Sequence, residues 1–431
     1  MKWRDIYKSK LTSAAEAVKK IKSGDRVVAG HACASPEFLL QALLANKEAC
    51  RNVEIAHMVS MGQSEYCLPE NAPYFVHNSF FAGASTRDAV NQGRAEFTPC
   101  HFSMIPKLFS EKILPVDVLL CMLAEPDEDG FCSFGVSVDY TKPAAQAAEV
   151  IIAEITPHMP RTLGDSFIHV SDLDCIVQSD SRPIVLNPPV ISATEEAIGG
   201  YCAELIRDGD CLQLGIGAVP DAMLSCLKNK KHLGIHTEMF SDGVVDLVQS
   251  DVIDCSRKTF HQGKMVATFL MGTKKLYDFV HKNPMVEMFS VDYTNNPAVI
   301  AKNDNMVSVN SALEIDLSGQ VVSDTIGYKQ YSGSGGQADF VRGAAWSKGG
   351  RSIIALPATA NKGKSSRIRP HITEGAAVVT NRTDVHYVVT EFGIANLRGK
   401  TIKQRAEELI NIAHPDFRND LRESYNGICR K

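Results

Sequence analysis

Hydrophobic and polar positions follow the same order twice along the chain. In "SGDRVVAGHACASPEFLLQAL", Ser23 to Leu43, a Gly-Asp turn leads into a short apolar run, a glycine-bearing loop, a proline, an acid and an apolar helical stretch. "DGDCLQLGIGAVPDAMLSCL", Asp208 to Leu227, repeats that order with one residue of gap. Each copy reads as strand, loop and helix start. Gly-Asp opens the strand, Pro36 or Pro220 takes the first helical position, and Glu37 or Asp221 suits the positive helix end. The likeness continues, with "NVEIAHMVSMG" (Asn52 to Gly62) lying over "HLGIHTEMFSDG" (His232 to Gly243) and "FFAGASTRDAV" over "TFLMGTKKLYDFV". In that register Glu238 faces Met58, so the second copy alone carries a carboxylate at this strand end.

Strand-like runs such as "SIIALPA" and "VHYVVTEFG" alternate with helical stretches such as "TIKQRAEELINIA". That alternation predicts an α/β fold of two similar open sheets with crossover helices. Prolines cluster in "SDSRPIVLNPPVISATEEAIGG", which places a boundary near residue 185 and domains over 1–185 and 186–431.

Composition narrows the classes. The chain has 431 residues, 44% of them hydrophobic, enough for a large core. A net charge of −5 argues against nucleic acid as a partner, so an anionic ligand needs a local site. The charged start "MKWRDIYKSK" has no apolar segment behind it, and no apolar run reaches membrane-spanning length; the expectation is a soluble cytoplasmic protein without a membrane partner. Twelve cysteines, among them Cys33, Cys121, Cys211 and Cys226, stand singly with no CxxC pair, which reads as reduced core thiols. His232 and His236 are four apart on a strand, where they do not share a ligating face, and no metal is expected. Isolated His57, His77 and His169 read as packed histidines.

Several segments carry candidate chemistry. "LGIGAVPDA", Leu214 to Ala222, is a glycine-rich strand-to-helix loop whose free N–H groups favour an anion or oxyanion. A dinucleotide fingerprint fits Gly215-x-Gly217 with Glu238 beyond, but Pro220 stands where close helix packing needs Gly or Ala. "YSGSGGQADFVRGA", Tyr331 to Ala344, is dense in glycine and precedes a helix, so its backbone can approach a ligand closely. Ser332 breaks a nucleophile elbow around Ser334, and Ala358 breaks a P-loop at "NKGKSS". "NKGKSSRIRPH" concentrates Lys362, Lys364, Arg367 and Arg369, a solvated loop or a phosphate pocket. Glu238, at the carboxyl end of a strand, lies where open α/β sheets place their ligands.

Together "LGIGAVPDA", "HTEMFSDG", "GSGGQADFVRGA", "GGRSIIALPATA" and "TEFGIANLRGK" resemble the acetyl-CoA hydrolase/transferase family, in order over nearly the whole chain. The resemblance implies two related CoA-transferase-type α/β domains with the active site in the cleft between them. It implies a CoA-transferase with Glu238 as nucleophile, moving CoA between a short-chain acyl-CoA, 4-hydroxybutyryl-CoA or butyryl-CoA, and acetate. Coenzyme A is then cosubstrate, and the partners are acyl-CoA, short-chain carboxylates and a second copy of the chain in a homodimer. Contacts to CoA are expected from Gly215, Ile216, Gly217, Ala218, Val219, Gly335 and Gly336, and from Leu313, Lys362 and Gly363. Asn295 and Glu391 are expected to orient the reacting carboxylates, and His31 to reach the acyl group. The rival readings are an acetyl-CoA hydrolase, since water can also attack a glutamyl thioester, and a non-catalytic CoA sensor.

Overall fold

The structure is a computed structural model that describes residues 2–429. The chain forms two compact units, Met1–Leu186 with Val266–Thr294, and Asn187–Met265 with Asn295–Lys431.

The first unit is built on seven parallel strands: β1 (Arg26–Ala29), β2 (Val53–His57), β3 (Phe75–Ser79), β4 (Ala95–Phe97), β5 (Val118–Ala124), β6 (Val150–Thr156) and β7 (Cys175–Gln178). Their order across the sheet is β7-β6-β5-β1-β2-β3-β4. All seven residues of β5 are buried, as a parallel strand covered on both faces requires. The core on one side gathers Val27, Ala29, Leu39, Leu43, Ile55, Val118, Leu120 and Ile152.

The second unit has β8 (Cys211–Gln213), β9 (Gly234–Ile235), β10 (Met306–Ser311), β11 (Arg351–Ala355), β12 (Tyr387–Thr390) and β13 (Gly393–Asn396). Their order is β9-β8-β10-β11-β12-β13, parallel except for the final hairpin. Because β9 lies on one side of β8 and β10 on the other, the order reverses between β8 and β10. Open sheets hold ligands at the carboxyl ends flanking such a reversal.

The repeat is real at its first two elements. Helix α1 (Glu37–Ala45) carries the chain from β1 to its parallel neighbour β2, and α2 (Ala218–Cys226) carries it from β8 to β9. The helix starts differ from expectation: Pro36 is the residue before α1, and Pro220 is the third residue of α2, where a first-turn proline still sacrifices no helical hydrogen bond. The third matched pair does not correspond. "TFLMGTKKLYDFV" belongs to the first unit, so the likeness there reflects only a local loop-to-helix pattern. The compact units thus group 266–294 with the first, whereas the expected division at 185 gives that segment to the second domain. Val286–Met288 pairs in parallel with Leu163–Gly164, and Leu270 N–H donates to Val136 O at 2.8 Å, so backbone hydrogen bonding draws the segment into the first unit.

Of the eleven cysteines whose side chains are described, nine are buried and all are free thiols, while Cys226, the last residue of α2, is exposed. His169 is hydrogen-bonded through both ring nitrogens, to Ser171 Oγ at 2.7 Å and Asp129 O at 3.2 Å. His57 and His77 stack with ring centroids 4.3 Å apart inside the first unit. His57 Nε2 meets Tyr66 Oη at 2.5 Å, and His77 Nδ1 meets Ile55 O at 2.8 Å. Burial pushes His77 down to about 4 from its ordinary 6.5, and burial together with the neighbouring His77 holds His57 well below its ordinary value too. A depressed folded value means that the unfolded chain takes up the proton first. The stability these rings contribute is complete above pH 6.5 and is lost as pH falls toward 4. Denaturant titrations from pH 7.5 to pH 4 are expected to show His77→Gln losing less stability than the wild type, by roughly 3 kcal/mol at the acid end.

Candidate active site

The carboxyl edge of the second unit's sheet collects most of the expected residues. Gly215 to Val219 follow β8, Glu238 follows β9, Leu313 follows β10, Lys362 and Gly363 follow β11, and Glu391 follows β12. The loop after β8 and Leu313 therefore flank the reversal point between β8 and β10. Helix α3 (Gln337–Trp346) runs back toward the start of β11, so its amino end, with Gly335 and Gly336, comes to the same edge.

Glu238 is half-buried at a bend beyond β9. The ladder between β8 and β9 ends at the bond from His236 N–H to Leu212 O, 3.1 Å. Past it, Asn295 Nδ2 donates to Glu238 Oε2 at 2.7 Å, and Asn295 is fully buried. Gly336 stands against both groups. A Cβ placed there would lie 2.1 Å from Glu238 Oε2 and 2.2 Å from Asn295 Nδ2. The carboxylate thus sits at the amino end of a ten-residue helix, where the helix dipole stabilises negative charge. Gly335, with φ +51°, makes the left-handed turn that brings Gly336 into that position.

The glycine loop is open on its outer side. A Cβ on Gly215 would meet nothing nearer than Pro220 Cγ at 3.8 Å, and one on Gly217 would meet nothing within 4 Å. Gly217 has φ +113°, so its glycine is required by backbone conformation, and it precedes the first residue of α2. Ile216 is exposed and Ala218 half-buried, whereas the Val219 side chain packs inward. Val219 can face a ligand through its first-turn N–H alone. Asp221 accepts from Ser241 Oγ at 3.4 Å, tying α2 to the turn after Glu238, and burial pushes its carboxyl above the usual range.

Around β11 the expected cations separate. Arg367 donates to Leu313 O at 3.0 Å and Thr359 O at 3.2 Å, and Arg369 Nε lies 3.5 Å from Glu314 Oε2. Both are engaged within the protein. Lys362 and Gly363 are exposed at the tip of the Thr359–Ala360 and Ser365–Ser366 hairpin, with φ +58° and +83°. A phosphate site on this hairpin would rest on Lys362 and Lys364. Glu391 Oε2 accepts from Ala358 N–H at 2.8 Å, which braces the ends of β11 and β12.

His31 stands in the first unit, in the loop after β1, and is 1% exposed. It stacks on Tyr140 with centroids 5.1 Å apart and meets Phe102 and Phe269 edge-on. Its Nε2 lies 3.0 Å from Asp139 Oδ2, off the direction of a hydrogen bond. Sequence reading missed Thr237, whose hydroxyl sits between the glycine loop and the Glu238 bend. A hydroxyl residue next to a strand-end acid was the available signal. Among the described residues no group of three or more His, Cys, Asp or Glu side chains could hold a metal ion, and no helix is long and apolar enough to cross a membrane.

A carboxylate at the carboxyl edge of an α/β sheet, beside a helix amino end and an open glycine loop, is an arrangement suited to group transfer from an activated acyl compound. Residues 1–188 match the acetyl-CoA hydrolase/transferase N-terminal domain and residues 272–425 the C-terminal domain of the same family. The chain belongs to the acetyl-CoA hydrolase/transferase family. It is 59% identical to the 4-hydroxybutyrate coenzyme A transferase of Clostridium kluyveri over 99% of both chains. It is 37% identical to the butyryl-CoA:acetate CoA-transferase of Anaerostipes caccae, over 98% of this chain and 97% of that one. The crystal structure of a 4-hydroxybutyrate CoA-transferase from Porphyromonas gingivalis superposes with a TM-score of 0.87 at 44% identity, covering 99% of this chain and 100% of the other.

Proposed function

We propose that this CoA-transferase exchanges CoA between a short-chain acyl-CoA, 4-hydroxybutyryl-CoA or butyryl-CoA, and acetate through a glutamyl-CoA thioester at Glu238. The observation that carries the reading is the Glu238 carboxylate, held by Asn295 at the amino end of α3 with Gly336 leaving room beside it. A carboxylate oxygen of Glu238 attacks the acyl carbonyl, and the CoA thiolate leaves a mixed anhydride. The thiolate then attacks the glutamyl carbonyl, releasing the free acid and leaving CoA on Glu238. An acceptor carboxylate runs the same steps in reverse.

Each tetrahedral intermediate places negative charge on an oxygen near the α3 amino end or the loop after β8, where backbone N–H groups are unpaired by the helix. Asn295 orients the carboxylate, the open space at Gly215, Gly217 and Gly363 leaves room for the CoA chain, and Lys362 offers a cation for its phosphates. A cytoplasmic homodimer belongs to the same reading.

Intact and peptide mass spectrometry after mixing with butyryl-CoA and no acceptor tests it. A CoA adduct that borohydride converts to an alcohol at Glu238 supports the thioester route. Intact acyl-CoA with no adduct points to a sensor, and accumulating free CoA with no adduct points to a hydrolase.

A further inference from the structure

Where β8 and β9 part company, the next backbone donor in the ladder is Leu214 N–H, and it does not bond to the neighbouring strand's backbone. It donates instead to Thr237 Oγ at 3.0 Å. The same hydroxyl lies 2.8 Å from Met239 O and 3.1 Å from Leu214 O, either of which can take its proton. Thr237 is fully buried and Leu214 nearly so. One hydroxyl therefore grips the residue before the glycine loop and the residue after Glu238, with the nucleophile between its two anchor points.

The first unit contains a counterpart. In the repeat register Ala29 corresponds to Leu214 and Met58 to Glu238. There Tyr140 Oη donates to Ala29 O at 2.8 Å and accepts from Met58 N–H at 3.3 Å. Both units thus bridge the exits of the same two neighbouring strands with one buried hydroxyl, drawn from unrelated places in the chain. In the first unit the braced position carries no carboxylate. In the second it lies beside the nucleophile.

We propose that Thr237 is a positioning residue that sets where the Glu238 carboxylate stands relative to the Gly215–Gly217 loop. This rests on the assignment of Glu238 as nucleophile. Thr237 touches neither the reacting carboxylate oxygens nor the side of the loop open to a ligand, so it acts through the backbone on either side of Glu238. Val in its place keeps the branched shape but leaves Leu214 N–H without its acceptor, and lets the loop and the bend move independently. Its effect belongs in the chemical step and not in CoA binding.

The test compares Thr237→Val and Thr237→Ser with the wild type, measuring kcat and KM for butyryl-CoA and acetate, the rate of formation of the borohydride-reducible adduct, and the thermal midpoint. Thr237→Val is expected to form the adduct about 30- to 100-fold more slowly, with KM for butyryl-CoA changed less than about threefold, and Thr237→Ser to recover to within about fivefold of the wild type. Thr237→Ala serves in the same comparison if the valine variant does not fold. Adduct formation by Thr237→Val at the wild-type rate overturns the proposal alone, as does a serine variant as slow as the valine one. A wild type that forms no adduct at Glu238 overturns the nucleophile assignment and this proposal with it.

Discussion

Replacing Glu238 with glutamine is expected to lower kcat/KM for CoA transfer by at least about 10⁴-fold while leaving acyl-CoA binding largely intact. The amide has nearly the shape of the carboxylate, and its oxygen can still accept from Asn295 Nδ2, which lies 2.7 Å from Glu238 Oε2. It cannot form the anhydride, because a neutral amide is too weak a nucleophile. Since Glu238 is half-buried and the replacement is isosteric, the folding free energy is expected to change by less than about 1 kcal/mol. Steady-state assays with butyryl-CoA and acetate, with calorimetric CoA binding, separate the two effects. Transfer within tenfold of the wild type would remove Glu238 from the mechanism, and a parallel loss of binding and folding would make it structural.

The second large effect is expected at Gly336. Even alanine there puts a Cβ 2.1 Å from Glu238 Oε2 and 2.2 Å from Asn295 Nδ2, far inside any real contact. Backbone conformation offers no objection, because φ is −97° and ψ is 9°, which alanine adopts freely. The clash thus falls on the Glu238 and Asn295 side-chain ends, with little strain on the helix. Displacing the carboxylate by about 1 Å is expected to cost roughly 100-fold in kcat. The thermal midpoint is expected to stay within a few degrees, since alanine for glycine at a helix N-cap costs at most about 1 kcal/mol. Assay and melting curve together decide it. An unchanged kcat would show that the pocket yields without consequence, and a collapsed midpoint would show that Gly336 serves folding.

These two positions were legible in the sequence for different reasons. Glu238 stood out because one half of a repeat carried an acid where the other carried Met58. The glycines at 335 and 336 stood out because their density exceeds what a turn needs, and the structure uses one for a left-handed turn and the other for close approach. The basic stretch was less informative. Composition counts four cations, but Arg367 and Arg369 turn inward to Leu313, Thr359 and Glu314. Val219 differs from Ile216 and Ala218 because, as the second residue of α2, it packs its side chain inward and offers a ligand only its backbone N–H.

By itself the sequence determined the α/β class, the paired β1-α1-β2 and β8-α2-β9 modules, and the strand end that bears Glu238. Hydrophobic period, Gly-Asp turns and helix-start chemistry act within about ten residues, and all three are written locally. The resemblance suggested Asn295, but only the tertiary structure brings it, 57 residues away along the chain, into a hydrogen bond with the Glu238 carboxylate and points the amino end of α3 at that carboxylate. The tertiary structure also decided that 266–294 returns to the first unit, and that the Thr237 hydroxyl bridges two strand exits. Those contacts depend on which strands become neighbours, and strand order is settled by burial summed over a whole unit, which no short stretch of sequence records.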